Sequence, residues 1–129
     1  MTKATGKTAG GGPGGSPARL KPRLRVVRGA EVLLGPGMAQ LLEAIRASGS
    51  LRVAADELEM SYMHAWGLVR TMNRGFREPL VLLSRGGAER GGARLSTTGE
   101  RVLALYREME AEALRAMTAR WRRLRGLLS

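Results

Sequence analysis

The chain contains no cysteine and a single histidine. Disulfides and thiolate metal sites are therefore excluded. His64 has no cysteine or carboxylate pair beside it, which makes it a poor metal site. No apolar run approaches the ~20 residues of a membrane-spanning helix. The N-terminus lacks the apolar stretch of a secretory signal. These absences fit a cytoplasmic protein without a membrane span. No acid–base or nucleophile constellation is present either, so the sequence reads as a non-enzyme with no cofactor and no evident small-molecule effector site. Glu108, Glu110 and Glu112 are spread around one helical stretch with arginines beside them, which reads as surface charge.

Acidic residues are scarce as well. Against 11 Asp and Glu stand 22 Lys and Arg, giving a net charge of +11 and a pI of about 11.6. A domain this basic attracts polyanions, with nucleic acid the default partner. A membrane surface and simple compositional drift toward arginine are the competing explanations. Arginine dominates the cations, and its guanidinium recognises phosphate and guanine in a bidentate way. With 129 residues, 43% of them hydrophobic, the chain suffices for one modest core.

Residues 1–19 (MTKATGKTAGGGPGGSPAR) offer little apolar surface to bury and read as a disordered tail. Leu24, Val26, Val32 and Leu34 alternate with polar residues around Arg28-Gly29-Ala30-Glu31, predicting two short strands. Gly35-Pro36-Gly37 breaks the pattern. Met38, Leu41, Leu42 and Ile45 recur at helical spacing and predict a helix to about Ala47. Ser50 is the N-cap expected for a helix over 51–58, with Ala54, Ala55 and Leu58 buried. Ser61 caps the next, over 62–74, whose core face is Ala65, Val69 and Met72. Gly75 stands where a C-cap glycine belongs. Pro79 to Leu83 and Ala93 to Leu95 predict strands flanking a glycine-rich loop. Thr97-x-x-Glu100 reads as a capping box opening a long helix. Its apolar stripe runs Val102, Tyr106, Met109, Ala113, Met117, Trp121, Leu124, Leu128. A stripe of that length exceeds what one small core can cover and predicts a homodimer.

This order predicts a mainly α protein with a small β component. Its parts are a winged helix-turn-helix over 20–96 and a long dimerisation helix over 97–129. The turn Glu59-Met60-Ser61 joins two short helices, and the second becomes the recognition helix in the major groove of double-stranded DNA. Opposite its core face lie Met63, Gly67, Arg70 and Arg74. Gly67 either lets the helix sit close to the groove or reflects neutral drift. Ser61, Tyr62, Met63 and His64 occupy the helix N-terminus. Tyr62, Met63 and His64 are candidates for reading base edges. Trp66 reads first as core or as packing for the wing. Arg85, Arg90 and Arg94 place three cations among glycines, a wing able to enter a minor groove; an ordinary hairpin loop is the alternative. The loop is not a nucleotide-binding one, since no GKS or GKT is present and a strand follows it. Arg115, Arg120, Arg122, Arg123 and Arg125 read as a solvated helix face, with binding of acidic partners or DNA as the alternative.

Several of these residues carry a resemblance. Leu41-Leu42-Glu43-Ala44-Ile45, Ser48-Gly49-Ser50, Ala54-Ala55, Met60-Ser61-Tyr62, Ala65-Trp66, Met72-Asn73, Pro79-Leu80-Val81, the glycine-rich wing and Ala93-Arg94-Leu95-Ser96 with Gly99 are similar to the N-terminal domain of the ModE family of molybdate-responsive transcriptional regulators. The resemblance covers roughly 22–115. It implies a dimeric winged-helix DNA binder with helix 62–74 in the major groove and the helix after Thr97 at the dimer interface. It also implies a glycine where Glu59 stands, so the turn here must hold a side chain. The family's oxyanion-binding modules have no counterpart before Ser129, so molybdate sensing is not carried over. The expected function is sequence-specific transcriptional regulation, with a basic nucleoid-type or accessory DNA-binding protein as the alternative.

Overall fold

A computed structural model describes residues 16–84 and 92–129. The expected tail falls mostly outside these residues, as do Arg85 and Arg90 of the wing. Two units are distinguished, Arg23–Glu108 and a second that includes Met109–Ser129.

In the first unit, β1 (Val26–Arg28) and β2 (Glu31–Leu34) pair antiparallel, with Val27 opposite Val32 and Arg28 opposite Glu31. Helix α1 spans Pro36–Ser48, α2 Leu51–Glu57 and α3 Tyr62–Gly75. A second two-stranded sheet pairs β3 (Val81–Leu83) with β4 (Ala93–Leu95), Leu82 lying opposite Arg94. Helix α4 follows over Thr97–Arg125. The molecule is mostly helical with a small β component, in the element order of a winged helix.

One core unites these elements. Leu41, Leu42 and Ile45 of α1 are fully buried, with Ala54 and Ala55 of α2, Ala65, Val69 and Met72 of α3, Leu80, Val81, Leu103 and Tyr106. The small α2 residues let helices approach closely. No charged or polar residue is buried among those described. Gly49 ends α1 in the left-handed region (φ 73°), its N–H reaching the Ile45 carbonyl, a conformation glycine adopts without steric cost. The Gly49 carbonyl then accepts from Ala93 N at 2.9 Å, tying β4 to the end of α1.

Several sequence expectations shift in register. Gly35-Pro36-Gly37 does not delay α1. Gly35 is its N-cap and Pro36 its first residue, where a missing N–H costs nothing. In α2, Leu51 is buried while Leu58 is only partly so, since the helix ends at Glu57 and Leu58 becomes its C-cap. Gly75 is not a C-cap; it is the last residue of α3, and Phe76 follows in extended conformation. A Cβ at Gly75 would meet Leu33 Cδ2 at 2.9 Å. The absence of a side chain there leaves room for the buried Leu33 of β2. Likewise Ser96, not Thr97, caps α4, its hydroxyl accepting from Gly99 N at 2.9 Å.

The buried stripe at the start of α4 is Gly99, Leu103 and Tyr106. Val102, which the periodicity selects, is only partly buried. The Tyr106 hydroxyl donates to the Leu24 carbonyl at 2.8 Å, holding the segment before β1. Arg107 grips Glu43 of α1 through two bonds, at 2.8 and 2.9 Å.

In the second unit, the rest of α4 leaves Met109, Leu114, Met117 and Leu124 exposed and Trp121 half-buried. Leu128 lies beyond the helix end at Arg125. Among the described residues, no helix is long and apolar enough to cross a membrane.

Candidate nucleic-acid interface

Helices α2 and α3 form the predicted pair. Ser50 starts α2, its hydroxyl accepting from Val53 N at 3.1 Å. The helix ends by two reverse bonds, Met60 N to Ala55 O at 3.0 Å and Glu59 N to Asp56 O at 3.1 Å. This pattern is a Schellman motif, which requires a left-handed residue at its corner. Glu59 fills that corner with φ 57°, the only non-glycine among the described residues at positive φ. Such a conformation strains an L-residue by roughly 1–2 kcal/mol. The turn therefore does hold a side chain where the resemblance leads one to expect glycine.

Ser61 then caps α3, accepting from His64 N at 3.0 Å. Three residues fix the orientation of α3. Ala65, Val69 and Met72 are buried on the core. The opposite face is presented outward as the 3.6-residue period requires. Met63 is 71% exposed. Ser61, Tyr62, His64, Gly67, Arg70 and Arg74 are exposed too. A Cβ at Gly67 would meet nothing within 4 Å, so no packing inside the unit demands glycine there. No acid occurs anywhere in α3. The outward face thus carries two cations with no carboxylate of its own helix to repel a polyanion.

The cations on this face differ in their surroundings. Arg70 lies over the Trp66 ring, 4.9 Å from its centroid. Arg52 of α2 lies over the Tyr62 ring at 4.6 Å. Both distances are within the range of cation–π attraction. Arg74, by contrast, pairs with Glu31 of β2 at 2.9 Å, so its charge is partly neutralised. Trp66 is half-buried and packs against the core, as first read from the sequence. Arg94 is exposed on β4. Arg85 and Arg90 lie outside the described residues.

Asn73 is the residue that sequence reasoning missed. Its Oδ1 accepts from Leu80 N at 2.8 Å and Val81 N at 3.0 Å, and its Nδ2 donates to Val81 O at 3.0 Å. One side chain thereby ties the segment at the start of β3 to the last turn of α3. The available signal was an amide side chain in the last turn of a helix, close before a strand. The wing's neck is held by Ser84, whose N–H donates to Gly92 O and whose hydroxyl accepts from Gly92 N. Among the described residues, no three His, Cys, Asp or Glu side chains gather as a metal site.

No family model matches the chain. Individual proteins do. The molybdenum transport protein ModE of Azotobacter vinelandii is 44% identical over 73 residues, 57% of this chain and 27% of that protein. The chain carries a ModE-like domain. The DNA-binding transcriptional dual regulator ModE of Escherichia coli K12 is 37% identical over 71 residues, covering 55% of this chain and 27% of the regulator. The molybdenum-pterin-binding protein MopA of Rhodobacter capsulatus is 34% identical over 94 residues, 73% of this chain and 36% of MopA. The chain thus spans between a quarter and two-fifths of the length of these relatives. The ModE-like domain places no acid on α3, and the outward face of that helix is exposed among the described residues.

Proposed function

We propose that this chain is a sequence-specific DNA-binding transcriptional regulator tied to molybdenum homeostasis. The observation that carries the proposal is α3 itself. It is an acid-free helix with one face in the core and the other exposed, joined to α2 by a tight turn, in a chain similar to regulators named ModE. In this reading α3 enters the major groove. Tyr62, Met63 and His64 lie at its leading end, Gly67 at its closest approach, and Arg70 and Arg74 further along. The wing 85–94 reaches the adjacent groove through Arg85, Arg90 and Arg94. The exposed apolar residues Met109, Met117 and Leu124 of α4 support a homodimer, because a second copy of that stripe would cover them. The link to molybdenum rests on the names of the relatives, and the chain spans only a minor share of them.

Selection of bound sequences from random duplex DNA tests the proposal. A specific regulator enriches a two-fold repeated site with half-sites about 34 Å apart. It prefers that site over random DNA by about 10³-fold or more. Equal affinity for selected and unselected duplexes replaces this reading with that of a nucleoid-type protein. In the same assay Arg70→Ala weakens binding while the melting temperature stays unchanged. Met117→Asp converts the dimer to a monomer in sedimentation if α4 is the interface.

A further inference from the structure

We propose that Arg52, on the first helix of the motif, binds a DNA phosphate and is held ready for it by the ring of Tyr62. The proposal rests on the DNA-binding reading above. Three observations lead to it. First, the Arg52 guanidinium lies 4.6 Å from the Tyr62 ring centroid, so a residue of α2 reaches across to the leading end of α3. Stacking engages the flat face of a guanidinium and leaves its edge donors for a phosphate. Second, Arg52 makes no ion pair among the described residues. The ion pairs among the described residues take Arg46, Arg74 and Arg107. Asp56 stands four residues on from Arg52, where a helical ion pair would form, yet the two make none. Third, both partners are exposed, so the guanidinium stands where a polyanion can reach it.

The ring restricts a long side chain before binding, which lowers the ordering cost of contact. A phosphate is the expected ligand because the first helix of such a pair crosses the sugar-phosphate backbone while the second occupies the groove. Tyr62 then acts as a platform for Arg52, not as a reader of bases. Trp66 and Arg70 repeat the arrangement along the same flank, since positions 62, 66 and 70 follow at steps of four.

The test is titration of two labelled duplexes, one selected by the chain from random DNA and one unselected, across about 50–200 mM salt. Loss of one phosphate contact lowers the slope of log affinity against log salt by about 0.9, and at ~0.1 M salt weakens binding roughly eightfold. Arg52→Ala is expected to do this on both duplexes alike. Tyr62→Leu is expected to follow it, while the conservative Tyr62→Phe, which keeps the ring, recovers the parent's salt slope whatever loss of the hydroxyl does to affinity for the selected duplex. Should Arg52→Ala melt lower than the parent, Arg52→Gln takes its place with the same expectations. An unchanged slope, or a loss confined to the selected duplex, overturns the phosphate role. A harmless Tyr62→Leu beside a harmful Arg52→Ala overturns the role of the ring. If the parent itself binds neither duplex, the DNA-binding reading falls. If the parent binds and Arg52 is indifferent, only the present proposal falls.

Discussion

Replacing Gly99 by alanine sets two physical effects against each other. Helix propensity alone predicts a gain of at most about 1 kcal/mol, the interior cost of glycine, since Gly99 lies in the first turn of α4. Packing predicts the reverse. A Cβ at Gly99 would lie 3.0 Å from the Leu80 carbonyl carbon and 3.2 Å from its Cα, with the carbonyl oxygen nearer still. Those are backbone atoms, and the same carbonyl accepts from Ser96 N at 2.9 Å. Relief therefore requires α4 to lift from the strand. Overpacking of this kind costs about 1–3 kcal/mol, occasionally more, and straining the Ser96 bond adds ~1 kcal/mol. The net expectation is a loss of about 2 kcal/mol, which lowers the melting temperature of a domain this size by roughly 8–16 °C. Gly67→Ala is the control. Its Cβ meets nothing within 4 Å, so propensity acts alone and the melting temperature rises by about 4–8 °C. Circular-dichroism melts of both variants decide the matter. A Gly99→Ala protein that melts at or above the parent refutes the packing argument.

Other perturbations probe the supports of the site. Asn73→Ala removes three hydrogen bonds and leaves the N–H of buried Leu80 without its partner. A loss of about 2–3 kcal/mol in urea unfolding is expected, and a loss under ~0.5 kcal/mol counts against the account. Glu59→Gly relieves a left-handed side chain and should stabilise by about 1 kcal/mol, read as a higher denaturation midpoint; a lower midpoint shows that the turn carries no such strain. Hydrogen bonding from the Arg107 guanidinium, helped by its charge, holds the Glu43 carboxyl below its ordinary pKa. The stability this adds is present above the ordinary glutamate pKa and is lost as pH falls through the lowered one. Arg107→Ala should therefore flatten that part of the acid limb in a pH series of melts. Because both side chains are more than a third exposed, the change is small.

The sequence makes the helix faces legible and leaves their partners hidden, for a physical reason. Which side of α3 is buried follows from Ala65, Val69 and Met72 alone, because the helical period links neighbours three and four apart. The register of α4 does not follow in this way. Val102 and Leu103 are adjacent apolar residues, and either continues to Tyr106 at helical spacing. What selects Leu103 is the close seat of Gly99 on Leu80, a contact between segments that no local pattern encodes. The charges behave similarly. Arg70 and Arg74 look equivalent on the outward face, four residues apart. Yet Glu31, 43 residues earlier, pairs with one and not the other. Arg52, the cation that reaches α3 from α2, has no signal in its own neighbourhood except an i,i+4 acid it does not use. Opposite charges attract wherever the fold brings them, so a cation's availability to DNA is a tertiary property. The outward cations best placed for a polyanion are therefore those whose guanidinium rests on an aromatic ring, and in this motif that criterion favours Arg52 and Arg70 over Arg74.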